Sequence, residues 1–594
     1  MNPHSLNELG GPFGPPRPPR LLPVGDAALS VEFGDAIDPV LSARVRGLDR
    51  ALRREAFAGF REAVPTYRAL LVLYDPAVAG FAEACARLRP LAEASPGEEP
   101  AGERVVVPTR YGGEDGPDLA ELARRRGLTE AEAVAIHGST EYTALMLGFM
   151  PGFAYLGMLP AALEMPRRPT PRVRVPAGSV AVAGRQTGIY PAASPGGWNL
   201  IGRTSLRLFD PFADPPCRVQ VGDRVRFVPS RERASDATPV PPAPPGGVPA
   251  LEVLEGGLLT TVQDEGRPGW RRLGVGGSGA MDRPSLRAAN RLVGNPAGAA
   301  GLECTVVGPR LRFLASIPFA VTGADLSAVL HRDDLGAWPV PSGTPVLARA
   351  GNVLAFGSRR AGCRAYVAFA GGIDVPAVLG SRSTDLTGGF GGLDGRGLRA
   401  GDALALGRDL GAAEPGAPPA TATAPGAEAT VRVVLGPQDG HFAPAGLEAF
   451  LGAGYAVALE SDRLGCRLRG PRIDHRGEVE IVTDGMVPGC VQVPPDGQPI
   501  VMMAGGPTTG GYPKLATVVS ADLSLLAQLL PGEGRVRFRT VSVEEAQMAA
   551  TLLWGECDAE ASGCSPRSSS PAACGPRPGR RASRGASARP ISWS

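Results

Sequence analysis

The chain has 594 residues, too many for one hydrophobic core, because single cores stop growing near ~250–300 residues. At ~100–200 residues per domain, three to five domains are expected. Apolar residues make up 43%, which excludes wholesale disorder. No run approaches the ~18 uninterrupted apolar residues of a membrane span. The opening MNPHSLNELGGPFGPPRPPR lacks the apolar segment of a secretory signal. Net charge is +2, but residues 564–594 hold six Arg and no acid, so the body carries 55 basic against 59 acidic residues. Nucleic acid and membrane are therefore not expected partners. The nine cysteines are scattered with no C-x₂-C pair, so neither a zinc cluster nor a disulfide scaffold is expected, and a cytoplasmic location is the default.

In chain order, residues 1–20 read as disordered and 21–100 as a small α+β domain. Its strands are ALSVEF (28–33) and ALLVLY (69–74). One helix carries Leu41, Val45, Leu48 and Leu52 on a single face, and another carries Phe81, Cys85, Leu88 and Leu91. Residues 101–229 begin with RVVVP and two short helices, the second opened by a capping box at Thr129 and Glu132. They then turn to short β runs broken by Gly and Pro. A Pro-rich linker (230–249) precedes a β block at 250–410. A second linker (411–429) precedes another at 430–545, and the tail 556–594 reads as disordered. Segments 175–191 and 493–513 both open with Val-Pro and close with Thr-Gly-x-Tyr-Pro. Each is followed by Arg-Val-Arg-Phe, at 224–227 and 535–538, and 350–362 is a weaker third copy. Three related barrel-like modules follow, with ligands expected in clefts between them.

Of the 61 basic side chains, one is lysine, Lys514. Leu515 follows it, so there is no G-x₄-G-K-[ST] phosphate loop. Nor does Lys514 lie in a biotin-attachment context. A lysine retained where arginine serves everywhere else suits a site that needs a compact ammonium. Gly274, Gly276 and Gly279 fit G-x-G-x-x-G ahead of a helix capped by Asp282, but no βαβ series surrounds them, so tight turning is the expected reason. His137 ends a helix, where the dipole favours a partly charged imidazole. His475 lies in a dense alternation of charge suited to acid–base work. There is no H-E-x-x-H motif and no metal-spaced cluster, so no tightly bound metal is expected. Polar groups recur in Gly-rich turns: Gln263, Asp264 and Arg267; Asp462 and Arg463; Thr508, Thr509, Tyr512 and Lys514; Trp198, Asn199 and Arg203.

These residues carry a resemblance. GFMPGFAYLG (148–157), PRVRVPAGSVAVAGRQTGIYPAASPGGWNLIGRT (171–204) and LFDP (208–211) resemble allophanate hydrolase subunit 1, the KipI-like proteins. TTVQDEGRPGWRRLGVGGSGAMDRPSLRAANRLVGN (260–295), GGIDVPAVLGSRSTDL (371–386), GPQDGHF (436–442), SDRLGCRLRG (461–470) and TTGGYPK (508–514) resemble subunit 2, the KipA-like proteins. The two halves look fused. The resemblance implies a mainly β multidomain fold: a small N-terminal α+β domain followed by three cyclophilin-like β-barrel-type modules. It implies a component of an ATP-dependent 5-oxoprolinase, acting with a LamB/YcsF-type subunit and using ATP and Mg²⁺. It also leaves open a carboxyltransferase serving a separate biotin carrier, or a regulator of a histidine kinase. Self-association is a further open point, and no covalent biotin is expected on this chain.

On this reading Arg267, Arg463, Arg203 and Lys514 are expected phosphate clamps, Asp264 and Asp462 are expected Mg²⁺ or acid–base groups, and His475 is a further expected catalytic residue. Gln186, Thr187, Tyr190, Trp198, Arg203, Gln263, Thr508, Thr509 and Tyr512 are the expected substrate- or nucleotide-binding set. In one place the chain departs from the motif. Relatives commonly read Asp-x-Gln-Thr-Thr-Gly-Gly-Tyr-Pro where this chain has Gly505-Gly506-Pro507-Thr508.

Overall fold

The structure, a computed structural model, describes residues 18–95, 97, 102–232, 247–333, 336–407 and 426–559. Most of both expected linkers lie outside the described residues, as do 1–17 of the expected disordered start (1–20) and 560–594 of the expected disordered tail (556–594); of the described parts, Arg20 begins a strand and 556–559 end a helix. No described helix is long and apolar enough to cross a membrane.

The N-terminal domain is a four-stranded antiparallel sheet in the order Arg20–Pro23, Ala28–Glu32, Ala69–Tyr74, Phe60–Pro65. Helices Pro39–Arg54 and Phe81–Glu93 cover one face, where Val45, Leu48 and Leu52 meet Leu70 and Val72. Leu71 and Val64 point the other way, onto Met486, Val487, Cys490 and Met502 of the C-terminal barrel. A strand apolar on both faces needs cover on both, which explains the unbroken ALLVLY run.

Two modules close into seven-stranded barrels with the same circuit. The first runs Arg104–Tyr111, Asn199–Thr204, Ser179–Ala183, Gln186–Ile189, Ala154–Gly157, Glu141–Leu147, Arg224–Pro229. The second runs Glu428–Leu435, Lys514–Val518, Cys490–Gln492, Ile500–Met502, Gly465–Arg469, Gly454–Val457, Arg535–Thr540. In each, the Arg-Val-Arg-Phe strand closes the barrel by pairing parallel to the first strand. Closure removes the sheet edges that an open array would expose. The middle module differs: a six-stranded and a five-stranded sheet enclose one core containing Leu251, Leu302, Phe313, Phe319 and Val367. In its strand Arg310–Phe313, arginines point out while Leu311 and Phe313 point in.

Several local predictions match the structure. Helix Glu130–Ser139 begins with both halves of the Thr129–Glu132 capping box. Helix Arg283–Leu292 has Asp282 as its N-cap. The repeat, however, takes a different register from the one its sequence suggests. Thr187 and Ile189 belong to a barrel strand, whereas Thr509–Gly510 form a two-stranded annex with Asp484–Gly485. The matching annex of the first barrel is Ser194–Gly196 with Arg172–Val175. The boundary at 545 is also corrected. Helix Val543–Ala559 continues the chain, opened by a reciprocal pair in which Ser542 N donates to Glu545 and Glu545 N to Ser542 Oγ.

Candidate functional site at the domain junction

Because the N-terminal sheet lies on the second barrel, its Thr66–Arg68 turn is carried to the mouth of that barrel. There Lys514 Nζ lies 2.8 Å from Asp484 Oδ2 and 3.0 Å from the Gly485 carbonyl. Gln438 Nε2 donates to the same carboxylate oxygen (3.2 Å), while its Oε1 accepts from the Lys514 amide (3.1 Å). Thr66 Oγ1 reaches Asp484 Oδ1 at 3.5 Å, and Arg68 pairs with Glu32 at 3.3 Å. Lys514 and Asp484 are each 1% exposed. Burial alone would raise the Asp484 carboxyl, but Lys514 and Arg68 outweigh it and hold it below the usual range. A buried ion pair needs all its remaining lone pairs and protons satisfied, and this knot comes close to that.

The first barrel presents an aromatic mouth to the same junction. Phe153 contacts Tyr155, Tyr190 and Trp198 edge-on, at ring separations of 4.7, 5.1 and 5.7 Å. Tyr67, beside Thr66, adds its ring against Tyr155 at 5.9 Å. Phe149 is 39% exposed and held at φ +67°, its amide donating to Thr509 Oγ1 at 3.0 Å. Gly148 packs so closely on Thr509 that a Cβ there would overlap the hydroxyl. The 271–274 segment of the middle module completes the junction. Arg271 N donates to Glu62, Arg271 Nη2 to the Met486 carbonyl, and Gly152 N to the Leu273 carbonyl. Gly274, at φ +78°, lies against the Met150 carbonyl with no room for a side chain. The glycine motif thus serves close packing.

Of the residues expected from sequence, Lys514, Thr508, Thr509, Tyr512, Tyr190 and Trp198 gather at this junction. Thr508 is fully buried with its hydroxyl unpartnered, and the Tyr512 carbonyl accepts from Gln492. The others have different duties. Arg267 is fully buried, donates to the Ser383 carbonyl, lies 3.7 Å from Asp385 and stacks over Phe390. Arg463 is buried in an ion pair with Glu303, itself bound by Tyr366 and the Met281 amide. Arg203 donates to the Ala177 carbonyl. The four expected clamps therefore do not converge on one phosphate.

The two expected Mg²⁺ carboxylates are likewise committed. Asp264 accepts from Gly266 N, Ser381 Oγ, Arg382 N and Ser383 Oγ, and Asp462 caps a turn through Leu464 N and Gly465 N. Among the described residues, no group of three or more His, Cys, Asp or Glu is placed to hold a metal ion. These residues do not fit a Mg²⁺–nucleotide site. Asp264 also edges a cavity of about 240 Å³ with Asp374 and Arg382, on the middle module.

Gln263 is buried, bonded to Thr261 and to the Thr384 carbonyl. His475 binds the Val493 carbonyl and packs on Phe442. Gln186 opens a barrel strand; Thr187 lies inside the barrel, bonded to His137 Nε2 at 3.0 Å. His137 is not a charged helix end. Burial drives its pKa down to about 3, and Tyr111 and Thr187 satisfy both ring nitrogens of the neutral ring. The departure at 505–507 is accommodated sterically. Gly505 and Gly506 lie against the Arg463 and Leu464 carbonyls, with a Cβ at 506 only 2.9 Å from the latter.

Sequence reasoning missed Asp484, Gln438, Thr66, Tyr67 and Arg68. Gln438 lies in the GPQDGHF motif, a signal that could have found it. Thr66–Arg68 come from another domain, and no spacing along the chain connects them to Asp484.

Comparison with known proteins agrees with this architecture. Residues 19–219 match the family described as carboxyltransferase domain, subdomain C and D, and residues 273–540 match carboxyltransferase domain, subdomain A and B. The chain is 40% identical over 304 residues to the C-type subunit of 5-oxoprolinase from Escherichia coli (strain K12), covering 50% of this chain and 94% of that protein. It is 43% identical over 209 residues to the B-type subunit of 5-oxoprolinase from Escherichia coli O157:H7, covering 35% of this chain and 95% of that protein. Urea amidolyase of Lachancea kluyveri is 35% identical over 322 residues, which is 50% of this chain but 17% of that protein. The crystal structure of TTHA0988 superposes with a TM-score of 0.76 at 38% identity, covering 86% of this chain and 99% of that one. The chain belongs to the carboxyltransferase-domain family of 5-oxoprolinase subunits and joins a B-type and a C-type subunit in one polypeptide.

Proposed function

We propose that the chain is the fused B-plus-C component of an ATP-dependent 5-oxoprolinase, opening 5-oxoproline to glutamate together with a LamB/YcsF-type subunit. One observation carries this reading: the junction is built from both halves at once. Thr66 and Arg68 come from the B-like half, whereas Asp484, Gln438 and Lys514 come from the C-like half. A site of this kind forms only when the two halves are together, as in two subunits of one enzyme. The chain's own part is to bind and orient substrate at the junction, on rigid barrel strands. ATP and Mg²⁺ are co-reactants of the assembly, and the clamps named from sequence form no site for them on this chain.

The test is glutamate release from 5-oxoproline with ATP and Mg²⁺, by the chain alone, the LamB/YcsF-type subunit alone, and the mixture. Turnover by the mixture supports the reading. No turnover, with both proteins folded, sinks it. A carboxyltransferase acting on a urea-like acceptor is the second reading, favoured by the similarity to urea amidolyase. It needs a separate biotin carrier, because the chain's single lysine is buried against Asp484.

A further inference from the structure

The junction holds an arginine and a phenol that each lack a partner. Arg167 sits in a loop pinned on either side of it. The Pro166 carbonyl accepts from Asn199 Nδ2 at 2.8 Å, and Arg168 N donates to the Gly197 carbonyl at 2.8 Å. The two bonds bracket Trp198, so the backbone of Arg167 is fixed beside that ring. Its side chain is exposed and makes no ion pair or hydrogen bond among the described residues. Its charge reaches three phenols: burial raises Tyr67, Tyr155 and Tyr190, and Arg167 opposes that rise in each. Tyr67 is 1% exposed and its hydroxyl has no hydrogen-bond partner. Buried polar groups in folded proteins are nearly always bonded, so an orphan beside a free cation calls for a missing acceptor. Phe149, strained at φ +67°, lies edge-on to Phe153 and Tyr190 on the solvent side of this cluster.

We propose that this aromatic mouth is the subsite for a small cyclic carboxylate, with Arg167 holding the carboxylate and the Tyr67 hydroxyl donating to a ring carbonyl. Guanidinium pairs with carboxylate through two parallel hydrogen bonds, which fixes orientation as well as charge. The rings of Phe149, Phe153 and Tyr190 form the apolar wall. The ligand is 5-oxoproline, an identity that rests on the function proposed above; the subsite itself rests on the geometry.

The test is calorimetric binding to the full chain of three probes: 5-oxoproline, cyclopentanecarboxylate, which lacks the lactam, and 2-pyrrolidinone, which lacks the carboxylate. Arg167→Gln is expected to weaken both carboxylates at least tenfold and to leave 2-pyrrolidinone unchanged. Tyr67→Phe is expected to weaken the two lactams and leave cyclopentanecarboxylate unchanged, while the melting temperature holds or rises because an orphan hydroxyl is gone. Binding of none of the probes overturns the subsite, as does unaltered carboxylate binding in Arg167→Gln. The assembled enzyme separates the two proposals. Turnover with an unchanged KM in Arg167→Gln sinks the subsite and leaves the function standing. Carboxylate binding that depends on Arg167, without any turnover of 5-oxoproline, does the reverse.

Discussion

Lys514 and Asp484 form a 2.8 Å ion pair from which water is excluded on every side, roofed by Thr66 of a domain more than four hundred residues away in the chain. The single lysine is thus retained where a compact ammonium fits between a carboxylate and the Gly485 carbonyl. A guanidinium is wider and planar and cannot take that place without displacing Gly485. Lys514→Arg is therefore expected to abolish glutamate release by the assembly, with the chain still folded by circular dichroism. Full activity in that variant removes the lysine from the mechanism.

The same pair makes a stability prediction. Removing one partner leaves a buried charge, at a cost of about 3–5 kcal/mol. Lys514→Met is expected to lower the denaturation midpoint sharply, and Lys514→Met with Asp484→Leu to recover most of the loss. A double variant no more stable than the single one contradicts this account.

Arg463 and Glu303 join the second barrel to the middle module in a second buried pair, with Arg463 also donating to the Gly279 carbonyl. Glu303→Gln is expected to destabilise by about 3 kcal/mol for the same reason. Its signature is a split melting transition, because the pair spans two modules. A fall in kcat with an unchanged melt restores Arg463 as a catalytic candidate.

The contact between barrels packs Gly148 closely on Thr509, beside the bond from the Phe149 amide to the Thr509 hydroxyl. Gly148→Ala drives a methyl into Thr509 and is expected to cost about 1–3 kcal/mol by overpacking. Thr509→Ala on the same background removes the clashing hydroxyl and is expected to restore part of that loss. Equal melting temperatures for the single and double variants disprove the steric account.

His137 sets a pH dependence. Its folded pKa, about 3, lies below the ordinary 6.5, so between these values the unfolded chain binds the proton more readily. Stability therefore falls as the pH drops from 6.5 toward 3, by up to about 1.4 kcal/mol per pH unit from this group. His137→Gln is expected to flatten that slope by one proton in denaturation curves measured across the window. Asp484 acts lower. Its depressed carboxyl contributes stability above the ordinary 3.8 that is lost as the pH falls through the folded value.

The sequence by itself determined the elements whose causes are local. Leu41, Val45, Leu48 and Leu52 recur at helical spacing, Thr129 and Glu132 cap each other, and the two Arg-Val-Arg-Phe strands alternate out and in. Long motifs such as TTGGYPK (508–514) likewise marked the family, because tight turns demand particular residues at particular places. What only the tertiary structure decided was which polar groups meet. Arg267, Asp264 and Arg463 read as free charges in Gly-rich turns, yet each is bound by groups over a hundred residues away: Arg267 by the Ser383 carbonyl and Asp385, Asp264 by the Ser381 hydroxyl and the Arg382 amide, and Arg463 by Glu303. Buried charge must find a partner, and the partner is set by how domains pack, which spacing along the chain does not encode. The ALLVLY strand shows the same limit. Its sequence marked it as a strand, but that its second face lies on Met486 and Met502, bringing Thr66 to Asp484, follows only from domain packing.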